Sequence, residues 1–167
     1  MGLFSRKNSR VMTEAEYISG LCEVAADPTV IGNMLDNSIN PDHPPDSKKL
    51  RNHAAAVQWY AVNMYNLAHH HNDNLAMAAL HAQQLGSLGM KILYDKYMGA
   101  FEPLLSVPGR TAISDDFVED IANTFKDVCG KEVSATDEQL VGFARGVYKN
   151  TFSRCEDKFD DRVVRRR

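Results

Sequence analysis

The chain has 167 residues, of which 44% are apolar and 25% charged, and its formal net charge is −3. This is the composition of an ordinary globular protein, and a chain of this length buries about 69% of its unfolded surface on folding, enough for one core without cross-links. No apolar run approaches the ~18 residues of a membrane span, and the polar N-terminus lacks the apolar core of a secretory signal, so we expect a cytoplasmic protein with no membrane span.

The basic residues are concentrated at the two ends of the chain. Residues 11–161 hold 12 of the 19 basic and all 22 acidic side chains, a net charge of −10. An acidic body repels phosphates, which disfavours a nucleic-acid partner. We expect a flexible basic arm over residues 1–12, one all-helical domain over 13–161 and a basic tail over 162–167. The candidate anion contacts in the tail are Arg162, Arg165, Arg166 and Arg167.

Two short helices are predicted at the N-terminal end of the domain. Thr13 and Glu16 have the spacing of a capping box, which opens a helix to about Ala26. Asp27 then caps a second helix that has Pro28 at its first position and extends to about Asn37. The proline-rich segment 40–46 is predicted to be a loop.

Two long helices follow, and together they are the most informative part of the sequence. The first is predicted to be capped by Asp46 or Ser47 and to extend to about His71, and the second extends from Asn74 to about Met98. Their short connection makes them an antiparallel hairpin. Apolar residues recur at spacings of three and four along each helix and define a facing seam. The seam comprises Leu50, Ala54, Val57, Ala61, Met64 and Ala68 in the first helix and Leu75, Ala79, Ala82, Gly86, Gly89 and Leu93 in the second.

Small residues in both seams predict close helix packing, with Gly86 and Gly89 against Ala54 and Ala61. The opposite side of the first helix is apolar too, which places it at the centre of the protein. No strand-like alternation occurs. The sequence therefore predicts an all-α, single-domain bundle of five or six helices around a central antiparallel helical hairpin.

Two further helices are predicted after Pro103 and the Val107–Gly109 break. One starts at Ser114 and ends near Cys129, with Gly130 as a left-handed terminator. The other starts at Ser134 or Thr136 and extends to about Asp161. Each carries one apolar stripe that can cover the hairpin. The stripes are Phe117, Ile121, Phe125 and Val128, and Leu140, Ala144, Val147, Thr151, Phe152, Cys155 and Phe159.

The sequence contains few patterns that indicate chemistry. The run His69, His70 and His71 is a weak candidate metal site, because consecutive side chains on a helix diverge by about 100° and cannot all bind one ion. Phosphate-binding glycine loops and nucleophile elbows are absent, so no cofactor is implied. Three widely spaced cysteines without a CxxC pair predict free thiols.

These observations favour a non-enzymatic protein–protein interaction module, an adaptor, regulator or inhibitor whose partner is another protein or a second copy of itself. One alternative is a ligand-binding or enzymatic bundle with a pocket beside the hairpin. Its candidate residues are His53, Trp59, Tyr60 and His81. Another alternative is an anion-surface binder that contacts nucleic acid or acidic lipid through the basic ends.

Overall fold

The computed structural model describes residues 10–39, 47–70, 79, 88–160 and 162–165. Within these ranges the chain forms six α-helices, one 3-10 helix and two short strands. The predicted all-α bundle is confirmed. The elements are β1 (Arg10–Thr13), α1 (Glu14–Ala26), α2 (Pro28–Ser38), α3 (Ser47–His70), α4 (Leu88–Phe101), the 3-10 helix (Glu102–Ser106), α5 (Asp115–Cys129), α6 (Asp137–Phe159) and β2 (Arg162–Arg165).

Capping residues set the helix starts that the sequence indicates. The Thr13 hydroxyl accepts a hydrogen bond from the Glu16 amide, and the Glu16 carboxylate accepts one from the Thr13 amide, which completes the capping box of α1. The Asp27 carboxylate accepts from the Thr29 amide and caps α2. Thr136 caps α6 in the same way as Thr13 caps α1.

Helix α3 lies at the centre of the bundle, as predicted. It contacts all five other described α-helices, most extensively α6. Leu50, Ala54, Val57 and Ala61 of its predicted seam are fully buried, and Val62 on the opposite side is buried as well. Burial on both sides explains why apolar residues lie on two opposite sides of this helix.

Helix α4 packs against α3 through aromatic side chains, which differs from the predicted small-residue seam. Tyr94, Tyr97 and Phe101 are its buried residues. Gly89 is exposed, and a Cβ added there would meet no atom within 4 Å, so the prediction of close packing at Gly89 is wrong. The bulky aromatic side chains fill the space between the two helices farther along α4, where no glycine is needed. Gly86 lies outside the described residues.

Helices α5 and α6 form a pair that covers α3. All seven residues of the predicted α6 stripe are buried, as are Phe117, Ile121 and Phe125 of α5. Helix α5 ends at Cys129 as predicted, but Gly130 keeps a right-handed φ of −63°, so its predicted left-handed conformation is wrong. A Cβ at Gly130 would lie 2.7 Å from the carbonyl oxygen of Lys126, which accounts for glycine there.

The two strands join the ends of the described chain. They pair in parallel, with Arg10 opposite Arg162 and Thr13 opposite Arg165. This pairing was not predicted, because strands of four residues are too short to produce a recognisable alternation. No helix in the described part of the chain is both long enough and apolar enough to cross a membrane.

Candidate functional site

Polar side chains lie inside the bundle on α3, the helix that the sequence identifies as central. His53, Gln58, Asn63 and Asn66 are all buried. The Gln58 side-chain amide donates to the carbonyl oxygens of Val24 and Asp27 at 2.8 and 2.7 Å. A buried polar group must be hydrogen-bonded to avoid a large desolvation penalty, and Gln58 meets this need by holding the α1–α2 corner.

Asn63 and Asn66 make similar contacts with neighbouring helices. Asn63 donates to the Tyr94 hydroxyl at 3.0 Å, and the Tyr17 hydroxyl donates to Asn66 at 2.9 Å. Each bond joins α3 to a different helix, α4 for Asn63 and α1 for Asn66. These residues therefore fix the positions of helices around α3.

His53 occupies a more elaborate environment near the start of α3. Its Nε2 lies 3.3 Å from the Glu132 carboxylate, and its Nδ1 lies 2.8 Å from the Tyr97 hydroxyl. A carboxylate can only accept, so Nε2 carries the hydrogen and Nδ1 accepts from Tyr97. Burial lowers the pKa of His53, and the hydrogen bond and charge of Glu132 oppose this effect only partly. The imidazole is therefore neutral near pH 7.

Glu132 is placed by the turn that follows α5. Its amide donates to the carbonyl oxygen of Cys129 at 2.9 Å, which ends the helix. One carboxylate oxygen contacts His53, and the other accepts from the Lys96 ammonium of α4 at 3.1 Å. The hydrogen bond from Lys96 lowers the pKa of Glu132, and the hydrogen bond from His53 acts in the same direction. The carboxylate thus joins α3, α4 and the turn.

A cleft of about 260 Å³ opens to the surface beside these residues. Helix α3 and α4 form its two walls, and Glu132 closes one side. Its lining combines charged, polar and apolar groups. The lining residues are Lys49, Asn52 and His53 of α3, Gly89, Ile92, Leu93 and Lys96 of α4, and Glu132.

Three of the four residues predicted to line a ligand pocket are described by the structure, and of these only His53 lies at this cleft. Trp59 and Tyr60 are buried in the core, where the Tyr60 ring packs against Phe101 at a centroid distance of 4.6 Å. The Tyr60 hydroxyl has no hydrogen-bond partner among the described residues. His81 lies outside the described residues.

The histidine run at the end of α3 does not form a cluster in the described part of the chain. His69 is exposed, its ring stacks on Tyr65 at 4.3 Å, and its Nε2 lies 3.7 Å from the Asp160 carboxylate. His70 is the last residue of α3, and His71 lies outside the described residues. No group of three or more metal-ligating side chains occurs within the described ranges.

The predicted anion contacts lie in and beyond β2. Arg162 and Arg165 are the first and last residues of the strand, while Arg166 and Arg167 lie outside the described residues. Parallel pairing brings Arg10 of the N-terminal end opposite Arg162. The backbone therefore brings the two basic ends of the sequence together, which sequence reasoning did not anticipate.

A second feature is the segment Glu102–Ser114 between α4 and α5, which we call the contact loop. Leu105, Val107 and Ile113 are exposed by 52%, 41% and 59%. The sequence indicated only a break here. The apolar residues beside Pro103 and Pro108 are the signal that could have identified it, since they fall outside any helical periodicity.

Polar contacts hold the contact loop against the bundle. The Tyr148 hydroxyl of α6 donates to the carbonyl oxygen of Ala112 at 2.8 Å. The Arg110 guanidinium contacts the Asp116 carboxylate at 3.1 Å and forms a second ion pair with Asp120. Gly109 has a φ of 79°, a left-handed conformation that glycine adopts without strain. The loop therefore has a defined conformation while its apolar side chains face solvent.

The chain matches no known family model, no curated protein and no solved structure. Its own residues must therefore support any functional conclusion.

Proposed function

We propose that this protein is a protein–protein interaction module and that the contact loop is the surface that binds its partner. The observation that carries this proposal is the exposure of Leu105, Val107 and Ile113 on a segment that is attached to the bundle by a hydrogen bond and ion pairs. Single exposed apolar residues are common on protein surfaces, but grouped ones are typical of interaction sites.

The way the loop is held favours binding. Ordering a flexible segment on association costs free energy, about 0.5–1.5 kcal/mol for each immobilised side chain. The Tyr148 hydrogen bond and the Arg110 ion pairs order the backbone of the loop before any partner arrives. More of the free energy from burying the three apolar side chains then remains for affinity.

Charge favours a different protein over a second copy of this chain as the partner. Residues 102–120 contain five acidic side chains and one basic one, and Lys149 and Arg145 of α6 pair with Asp115 and Glu119, so this surface carries a net charge of −2. Two copies would bring acidic surfaces together, and like charges at an interface are costly. The expected partner has an apolar groove bordered by lysine or arginine.

The test compares a loop variant with a matched surface variant. The loop variant replaces Leu105, Val107 and Ile113 by serine, and the control is Ile92→Ser, since Ile92 is 61% exposed but lies on α4. Both full-length proteins and the native one are used to capture partners from the native cell, and each is also run in sedimentation velocity.

We expect a partner that is retained by the native protein and by Ile92→Ser but reduced at least tenfold with the loop variant. All three proteins should sediment as monomers when purified. Equal recovery of the partner by the loop variant would refute the proposal that the contact loop is the binding surface. If the native protein is instead a dimer that the loop substitutions dissociate, the partner of the contact loop is a second copy of this chain.

A further inference from the structure

His53 differs in one chemical property from the other buried polar residues of α3. Gln58, Asn63 and Asn66 carry amides, which join neighbouring helices without titrating. An imidazole, by contrast, has an ordinary pKa near 6.5. His53 also lines the cleft that opens to the surface between α3 and α4, so a proton can reach its ring. An amide would join the two helices at any pH, whereas a histidine makes their contact depend on pH.

We propose that the hydrogen bond between His53 Nδ1 and the Tyr97 hydroxyl is a proton-sensitive latch, and that a proton on Nδ1 loosens α4 from α3. Each contact that the latch needs lies in α3, α4 or the turn after α5. The latch therefore does not depend on the function proposed for the contact loop.

The latch is a hydrogen bond of fixed direction. Nε2 donates to Glu132, so Nδ1 accepts, and the Tyr97 hydroxyl donates to it at 2.8 Å. Tyr97 is fully buried, and burial raises its pKa, so the hydroxyl keeps its hydrogen. When Nδ1 takes up a proton it becomes a donor, and the hydroxyl loses the acceptor that it has in the described part of the chain. A buried donor that loses its acceptor is costly, so the proton destabilises the closed arrangement of α3 and α4.

The other contact of the ring responds in the opposite way. Nε2 donates to Glu132 whether or not the ring is charged, and a positive charge on the ring strengthens that bond. Protonation therefore weakens the attachment of α4 to His53 but retains the attachment of the turn after α5. The response should be concentrated in α4.

Charged and titratable groups surround the ring on each of these elements. Lys49 lies on α3, and Lys96 of α4 pairs with Glu132 of the turn, so the charges of that pair largely cancel. Burial raises the pKa of Cys129 at the end of α5 to about 12, so it stays a neutral thiol. Burial lowers the pKa of His53, the hydrogen bond and charge of Glu132 oppose this effect, and the two ammonium groups add to it. The closed ring therefore takes up its proton below pH 6.5.

The first test follows the ring signals of His53 by NMR in the full-length protein from about pH 8 to about pH 4. Tyr97→Phe removes the hydroxyl and keeps the aromatic ring. Because the hydroxyl donates to the neutral imidazole, its loss should raise the pKa of His53. Tyr94→Phe is the matched control, since Tyr94 is buried on the same helix but is hydrogen-bonded to Asn63. It should leave the pKa of His53 unchanged.

The second test measures whether α4 opens separately from the rest of the bundle. Amide hydrogen exchange, corrected for the intrinsic effect of pH, is compared at about pH 7.5 and about pH 5.5. We expect residues 93–101 of α4 to be less protected than residues 140–152 of α6. Protection in α4 should fall about fivefold to tenfold at the lower pH, because the opened state exposes His53 and takes up the proton. His53→Gln should lose this fall, since glutamine can donate to Glu132 and accept from Tyr97 but does not titrate.

Four results would overturn the proposal. These are a pKa of His53 that is unchanged or lowered in Tyr97→Phe, an equal effect of Tyr94→Phe, equal protection of α4 and α6 at both pH values, or the same fall in protection in His53→Gln as in the native protein. If His53→Gln does not fold, the two tyrosine variants decide the matter, because both keep their buried rings.

Discussion

Helix α3 and the contact loop depart from the usual arrangement of apolar residues inside and polar residues outside, and they do so in opposite directions. Helix α3 buries His53, Gln58, Asn63 and Asn66, whereas the loop exposes Leu105, Val107 and Ile113. Each of these four residues of α3 has a hydrogen-bond partner on another element, and only Asn63 Oδ1 and Asn66 Nδ2 among their side-chain atoms are buried without one in the described part of the chain. The exposed residues of the loop have no such explanation within the described part of the chain.

This difference separates structure from function. Buried polar residues that are hydrogen-bonded inside the molecule stabilise the fold. Exposed apolar residues that no contact inside the molecule explains are expected at functional sites. The polar interior of α3 is therefore expected to determine stability, and the apolar loop to determine binding. Substitutions in the two regions should affect different measurements.

The largest effect on stability is expected from Gln58→Leu. The leucine side chain is similar in size, but the carbonyl oxygens of Val24 and Asp27 lose the hydrogen bonds from the Gln58 amide. The Val24 oxygen then keeps only a 3.3 Å hydrogen bond from the Asp27 amide. We expect the free energy of unfolding to fall by about 2–4 kcal/mol, measured by chemical denaturation. Asn52→Leu on the exposed side of the same helix should change it by less than about 0.5 kcal/mol. Equal effects would mean that the buried amide contributes little.

A pair of glycines on α6 tests the packing around α2. A Cβ at Gly146 would overlap the sulfur of Met34 on α2, whereas a Cβ at Gly142 would meet nothing within 4 Å. Gly146→Ala should destabilise the protein by about 1–3 kcal/mol, and Gly142→Ala should stabilise it by up to about 1 kcal/mol through helix propensity. Thermal denaturation of both variants measures this, and a stabilising Gly146→Ala would contradict the observed contact.

The buried His53 should make stability depend on pH. In the unfolded chain its pKa is near the ordinary value of 6.5, and in the folded chain it is lower because the ring is buried. The unfolded state therefore takes up the proton first, and the free energy of unfolding should fall as the pH is lowered through 6.5 toward the folded-state pKa.

The variant His53→Gln should reduce this slope, while His69→Gln, at an exposed histidine of the same helix, should retain it. Denaturation curves at about pH 7.5 and about pH 5.5 give the comparison. A slope that survives in His53→Gln would assign the dependence to other groups.

The smallest effect on global stability is expected from Arg110→Gln, which removes the ion pairs with Asp116 and Asp120. Surface ion pairs with exposed carboxylates, such as these, contribute little to folding, so denaturation should hardly change. Amide hydrogen exchange in residues 105–113 should accelerate, because the loop loses one of its attachments. Arg145→Gln removes the comparable Glu119 pair elsewhere on α5 and should leave loop exchange unchanged. Unchanged exchange in Arg110→Gln would show that Arg110 does not hold the loop.

Much of the fold was predictable because its signals are local. The caps at Thr13, Asp27 and Thr136 and the α6 stripe each depend on residues within a few turns, and the structure has them where the sequence indicates. The aromatic contact between α3 and α4 and the strand pairing depend on partners far away in the chain, which periodicity does not report.

The candidate site was less predictable for the same reason. His53 was identified from its residue type, but its partners Tyr97 and Glu132 lie 44 and 79 residues away. Trp59 and Tyr60 have the residue types of a binding wall, yet they fill the core. An aromatic side chain suits either role, and only the three-dimensional arrangement distinguishes them.

The most direct test of the contact loop is a hydrogen-exchange footprint of the native protein with and without the partner it captures. We predict slower exchange on binding at the amides of residues 104–114, with residues 88–96 of α4 unchanged. Protection confined to other surfaces, with exchange in the loop unaltered, would contradict the assignment of Leu105, Val107 and Ile113 to the interface.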